Sequence, residues 1–409
     1  MNKQRWFLRL VIAALYLSAF EALFRGIVRN ISPSLEIFPV VIFEFVIYCI
    51  PLLFSWYGSY DRRFVLFLSI IVFLIILYPW RIQGDLLSYL LGFKFYFSCL
   101  FYIPIIKYLS KYDGFDKTFL KHFSFILKAY IVWEIIELLS ANYAPSIELW
   151  MKSFMFNFDA MRETMDVPGY EGLGRPIGMG LDYQTGALAI ATFCVICLLQ
   201  KRYILYSLSL ILSYMAFMRT WFVAVLFTSI LITFRRISLR NVWWILLITP
   251  VFFGLYFKMS DHFDDYIRQF GEGGSGGIIL DLFLNDGWFL FVNGGFFPNG
   301  FVRLGYSSIF GIPTGEIPHE FLINEVAILR MHYEIGGIAT LMWLTIMYSP
   351  ILKKFTFRMN DYTTILFFSS IGFIHHLTMF KPIMFIFFIF CSVQAYHKHA
   401  LPKAFNAVS

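Results

Sequence analysis

With 59% hydrophobic and 21% aromatic residues among 409, and only 14% charged, the chain holds more apolar surface than a single soluble core can bury, and lipid has to cover much of it. The net charge of +7 does not mark a nucleic-acid partner, because no basic patch lies outside the short connections between apolar runs. It is the charge expected of basic cytoplasmic loops.

The chain opens on Lys3, Arg5 and Arg9, followed by an apolar run from Val11 to Phe24. No small-x-small cleavage site follows, so the run is expected to stay as a first helix. Apolar stretches near 6–24, 37–57, 64–80, 86–106, 120–141, 181–200, 203–217, 220–234, 242–258, 327–351, 362–378 and 382–396 predict an all-α polytopic membrane protein. It forms one integral membrane domain over 1–409, with about twelve transmembrane helices. Basic residues punctuate alternate connections: Arg62 and Arg63, then Lys107, Lys111, Lys117 and Lys121, then Lys201 and Arg202, then Arg235, Arg236 and Arg240, then Lys353, Lys354 and Arg358. Lys398 and Lys403 lie in the tail. This positive-inside pattern puts both termini in the cytoplasm. It also requires 203–217 and 220–234 to be two spans that turn at Met218–Thr220.

The opposite face then carries that turn and two long loops, 142–180 and 259–326. Loops of this length without apolar periodicity are functional or disordered. The first contains Pro145, Pro168 and Gly169. The second is glycine-rich at Gly271–Gly277 and Gly294–Gly315, and its Trp288, Phe289, Phe296, Phe297 and Phe301 suggest segments resting on the membrane surface. Gly271–Gly277 follows no strand and lacks the Lys-Ser/Thr of a phosphate loop, so it reads as a linker.

Several residues are placed to do chemistry. Arg219 sits at the hairpin tip in Phe-Met-Arg-Thr-Trp-Phe, as either a snorkelling anchor or a bidentate phosphate clamp. Arg175 opens Arg-Pro-Ile-Gly-Met-Gly-Leu-Asp-Tyr-Gln-Thr-Gly, where Gly178, Gly180 and Gly186 allow backbone to approach a ligand closely. Asp182 is placed to cap the helix that starts near Tyr183. Glu325, Arg330 and Glu334 fall near the outer end of the tenth helix, where Arg330 and Glu334 also fit a plain intrahelical ion pair. His319, beside Pro318, is either a base or an exposed loop histidine. Glu134 and Glu137 lie at i, i+3 near the outer end of the fifth helix, with Glu21, Glu44, Lys94 and Lys128 as further intramembrane charges. Such residues rarely face lipid, and they open a proton-relay or transporter reading. Cys194 and Cys197 form a CxxC inside an apolar run and read as buried small residues rather than a redox pair. Asp261, Asp264 and Asp265 could hold a hard cation or be an ordinary acidic stretch.

In this order and sidedness the motifs resemble those of the O-antigen polymerase and ligase superfamily of bacterial envelopes, the Wzy-type and WaaL-type proteins. Arg175 through Gly186 is similar to the family's outer-loop Arg-x10-Gly pattern. Phe217-Met-Arg-Thr is similar to its Ser-Arg-Thr/Gly hairpin, with Met218 at the serine position. Asn299-Gly300 through Gly305 resembles its glycine-rich turn, and Glu325-x4-Arg330-x3-Glu334-x-Gly336 resembles the segment that opens its next helix. The ligase histidine aligns with Glu325, and His319 stands six residues before it, which favours polymerase over ligase.

The resemblance implies a GT-C-like glycosyltransferase architecture in the bacterial inner membrane, with no metal and no cofactor. No nucleotide triphosphate is available outside that membrane, so the donor must arrive activated, as a glycan on undecaprenyl diphosphate. The expected reaction is polymerisation of lipid-linked oligosaccharide repeat units of O-antigen or a related surface polysaccharide. Arg175 and Arg219 bind the leaving diphosphate, Arg330 assists, and Glu325 or else His319 takes the acceptor proton. Expected partners are the lipid-linked oligosaccharide, the bilayer, a chain-length regulator and a flippase. The alternatives are a ligase that moves finished polymer to lipid A core and a glycolipid transporter.

Overall fold

The protein is described by a computed structural model over residues 3–35, 37–57, 60–76, 97, 100–109, 111, 114–153, 166–167, 170–174, 183–199, 201–215, 221–222, 224–226, 228–230, 292, 295–297 and 327–352. These residues are predominantly helical. The helices are α1 (Lys3–Ala19), α2 (Glu21–Ile31), α3 (Ile37–Tyr57), α4 (Arg62–Ile76), α5 (Tyr102–Leu109), α6 (Phe115–Tyr143), α7 (Pro145–Ser153), α8 (Tyr183–Leu199), α9 (Tyr203–Met215) and α10 (Ala327–Leu352). One antiparallel hairpin, β1 (Asp166–Val167) with β2 (Tyr170–Gly174), stands between α7 and α8. The expected spans 242–258, 362–378 and 382–396 lie outside the described residues.

The apolar pattern sets how the helices pack. Phe7, Leu8, Val11, Ile12, Ala14, Leu15 and Ala19 recur at helical spacing and form the buried stripe of α1. The stripe faces α6 in parallel: the Tyr16 hydroxyl meets His122 Nδ1 at 3.0 Å, and further along both helices the Tyr130 hydroxyl donates to the Ala19 carbonyl. α3 runs back, so Phe54 near its end packs against Phe7 near the start of α1, with ring centroids 5.6 Å apart and the rings tilted by 40°. α3 also exposes Phe38, Val41, Phe45, Leu52 and Trp56 along one stripe.

The ends are built locally. Asp61 caps α4 by accepting the Arg63 N–H at 3.1 Å, and its other oxygen lies 3.9 Å from Lys107 Nζ. Tyr60 donates to the Pro51 carbonyl at 3.0 Å, and burial pushes its phenol above the usual range. α8 ends at Leu199, and Lys201 then takes a left-handed φ of 63°. The Lys201 N–H reaches the Leu198 carbonyl at 3.0 Å and the Arg202 N–H reaches that of Cys197 at 2.9 Å, a Schellman closure with lysine where glycine is usual. α9 therefore folds back along α8. The next reversal falls between Tyr214 and Phe222, whose rings meet at 5.5 Å while the Tyr206 hydroxyl donates to Ser229 Oγ at 2.8 Å. Met218–Thr220, the expected turn, lie outside the described residues.

Two expected spans are corrected in shape. The run 6–24 is not one straight helix: the backbone leaves helical geometry at Phe20, and α2 departs from α1 at 74°. The tenth helix covers the expected residues but is broken at Gly336, where φ is 82° and ψ 159°. Within 142–180 the described residues form α7 and the hairpin. Among the described residues no single helix is long and apolar enough to cross a membrane, although the bent pair Gln4–Ala19 and Leu23–Ile31 meets that test together. α6 has the length, about 43 Å at 1.5 Å per residue, but carries Lys121, Lys128, Glu134 and Glu137. The apolar stretches Gly186–Leu198 and Tyr203–Tyr214 are short.

Candidate functional site

The most unusual interior lies along α6 just past the point where α1 ends against it. α6 buries one stripe that is aromatic for most of its length: Phe115, Phe119 and Phe123 stack in sequence, with centroids 5.4 and 5.8 Å apart, and Tyr130 continues the row. One turn later the same buried stripe becomes acidic. Glu134 is 1% exposed and Glu137 3%, and the Glu134 Oε2 atom has no hydrogen-bond partner among the described residues. Burying carboxyl groups costs several kcal/mol unless partners compensate, so an acidic end to an otherwise apolar stripe is not explained by packing alone.

Two other elements pack nearby or against α6. Glu21 lies two residues beyond Ala19, the residue bonded to Tyr130, and stands 3.9 Å from Arg25 on α2. The hairpin strand β2 packs against α6 and ends at Gly174, immediately before Arg175 in the chain. Buried carboxylates here can hold a guanidinium in bidentate fashion or accept a proton from a hydroxyl.

A second feature sits at the break in α10. The segment 295–297 of the long loop docks there: the Gly337 N–H donates to the Gly295 carbonyl at 3.0 Å, and the Ile338 N–H to that of Phe296 at 3.4 Å. The loop carbonyls thus take N–H groups that the interrupted helix no longer satisfies. A side chain at Gly336 would place its Cβ 2.6 Å from the Phe297 carbonyl carbon, so glycine is needed both for its φ and for its lack of a side chain. The half-helix before the break carries Arg330 and Glu334, the latter buried.

Of the residues singled out in the sequence, Arg175, Gly178, Arg219, His319 and Glu325 lie outside the described residues, as do Asp182, Lys94 and Asp261. Arg330 is placed in the first turn of α10, and its side chain lies outside the description. Gly186 is buried inside the first turn of α8, a helix apolar on every side and buried from Gly186 to Leu198. Cys194 and Cys197 are buried in the same helix, with the Cys194 thiol 3.7 Å from the Tyr206 carbonyl. Among the described residues no group of histidine, cysteine, aspartate and glutamate is arranged to hold a metal ion.

The seating of Gly295 on the Gly336 break was not anticipated from the sequence. Its only local signal was the Gly336-Gly337 pair inside a helical run. Comparison of the chain with known proteins finds no matching family, no matching curated protein and no matching solved structure.

Proposed function

We propose that this chain is a polytopic inner-membrane glycosyltransferase of GT-C-like architecture with about twelve spans. In this reading it polymerises lipid-linked oligosaccharide repeats on the outer face of the membrane. The donor glycan leaves undecaprenyl diphosphate and joins a hydroxyl of the next lipid-linked repeat. Arg175 and Arg219 hold the departing diphosphate, Arg330 orients the base, and Glu325 or His319 accepts the hydroxyl proton.

The observation that carries the reading is the docking of a long-loop segment onto the helix that bears Arg330 and Glu334, at the Gly336 that ends the motif. The parallel course of α1 and α6, the basic turn at Lys201–Arg202 and the reversal between Tyr214 and Phe222 are each compatible with the charge-derived topology. The exposed apolar stripe of α3 suits a lipid-facing surface.

A transporter is the second reading, favoured by a different observation: a broken helix together with buried carboxyls such as Glu134 is a common way to build a substrate path. Surface-glycan profiling of a deletion strain separates the readings. Loss of the polymerase leaves single repeat units on the cell surface. Free, full-length polymer indicates a ligase, and repeat units held on the cytoplasmic side indicate a transporter; either result rejects the polymerase.

A further inference from the structure

The start of α1, the end of α3, the start of α4 and the end of α5 meet at one place. The Phe54 ring of α3 lies 5.6 Å from that of Phe7 on α1 and 5.4 Å from that of Tyr108 on α5, measured between centroids. Gln4 Nε2 donates to the Tyr108 hydroxyl at 3.4 Å. Lys107 Nζ lies 3.9 Å from Asp61, the residue that caps α4.

This end is strongly cationic. Arg5 and Arg9 of α1, Arg62 and Arg63 at the start of α4, and Lys111 just past α5 are all exposed. Among the described residues none of these side chains makes an ion pair or a hydrogen bond. Asp61 is the only carboxylate among the described residues of these helix ends, and Lys107 already stands beside it. Like charges gathered in this way repel one another, and an anionic partner relieves the repulsion.

The neighbouring surface says which anion. Trp56, in the last turn of α3, is 86% exposed, and Leu52, Phe45, Val41 and Phe38 continue the exposed stripe away from the charges. A phospholipid carries the matching chemistry in the same order, an anionic headgroup followed by acyl chains. A soluble phosphate would use the cations and leave the stripe in water. The Trp56 indole stands at the junction, where an apolar body with one polar edge is favoured.

We infer that this end of the bundle is a seat for anionic phospholipid headgroups of the cytoplasmic leaflet, held by Arg5, Arg9, Arg62, Arg63 and Lys111. The seat rests on the membrane reading above and goes beyond it by naming the lipid class and the residues that take it. Juxtamembrane basic groups are drawn to anionic lipid in this way, and the attraction weakens with salt.

Photocrosslinking tests it on the full-length protein in phosphatidylcholine nanodiscs. Each disc carries a small share of a diazirine lipid, with the diazirine near the glycerol backbone and either a phosphatidylglycerol or a phosphatidylcholine headgroup. A third lipid carries the diazirine in mid-chain. Adducts are mapped by mass spectrometry. The expected result is that the phosphatidylglycerol probe labels peptides holding residues 4–9 and 54–66 at least about fivefold more than its phosphatidylcholine twin, the effect of one basic residue at an anionic surface. The mid-chain probe should label the 38–52 stretch of α3. Substituting Arg5, Arg9, Arg62 and Arg63 together by glutamine should bring the headgroup ratio close to one, and substituting all of them by lysine should keep it.

Equal labelling of the wild type by the two headgroup probes overturns the seat and leaves the membrane reading standing, provided that the mid-chain probe still labels α3. An undiminished ratio in the glutamine variant overturns it as well. Loss of the ratio when inorganic phosphate replaces chloride at constant ionic strength means that the cations take a soluble anion instead of lipid. Absence of mid-chain labelling on α3 removes the membrane reading itself.

Discussion

The Gly337 amide donates to the Gly295 carbonyl at 3.0 Å, and beside that bond the absent side chain of Gly336 leaves room for the Phe297 backbone. A break in α10 and the seating of a distant loop are thus one structural event. The break frees N–H groups, and the loop satisfies them. Gly336→Ala adds a methyl group against backbone, which has little freedom to move, and imposes a left-handed φ on a residue with a side chain. The expected cost is about 2–5 kcal/mol, combining overpacking with the conformational penalty. Thermal unfolding in detergent measures it, and protease sensitivity of the 295–297 segment should rise in parallel. Gly337→Ala meets the His332 ring at 3.1 Å and the Gly295 carbonyl oxygen at 3.3 Å, looser contacts than the 2.6 Å at Gly336, so it should be milder. Equal melting temperatures for Gly336→Ala and wild type would show that the loop is not seated there.

The arginine assignments make a separate prediction. Arg175→Ala and Arg219→Ala should each reduce repeat-unit polymerisation a hundredfold or more, about 3 kcal/mol of transition-state stabilisation. Lysine at either position should restore only a part, because an ammonium group cannot make the two parallel hydrogen bonds of a guanidinium. Polymer length on a gel reads both effects. Full-length polymer from both alanine variants would remove these residues from the diphosphate site.

Tyr130 ties the middle of α6 to the end of α1 through the Ala19 carbonyl. Tyr130→Phe keeps the ring stacked on Phe20, whose centroid lies 6.0 Å away, and deletes only the hydroxyl. The buried carbonyl then loses that donor, and the variant should be less stable by about 1–2 kcal/mol. Comparing denaturation midpoints in one detergent checks this. A change near zero would mean that the hydroxyl contributes nothing to holding α1 against α6.

Lys201 closes the α8–α9 turn with a φ of 63°. A side chain in that conformation is disfavoured by about 1–2 kcal/mol, and glycine avoids the penalty at some cost in unfolded-state entropy. Lys201→Gly should therefore raise stability by about 1 kcal/mol. A lower melting temperature would place the lysine charge above the backbone strain in importance.

The chain's helical character was legible in its residues because a periodic apolar pattern is a local property. The limits of α3 and the start of α9 follow from such runs. Asp61 and the Lys201–Arg202 turn also carry local signals, a capping side chain and a basic pair after an apolar stretch.

What tertiary structure decided lies where two segments compete for the same groups. Phe20 is apolar and continues the pattern of α1, yet the helix bends there, as Phe20 stacks on Tyr130 and Tyr130 takes the Ala19 carbonyl. Glu134 and Glu137 sit at helical spacing in the sequence, but their complete burial depends on which neighbours cover α6. The break at Gly336 depends on carbonyls from 295–296 arriving to satisfy the freed amides. A sequence shows which groups a segment must satisfy, whereas the partner that satisfies them is chosen only when distant segments meet.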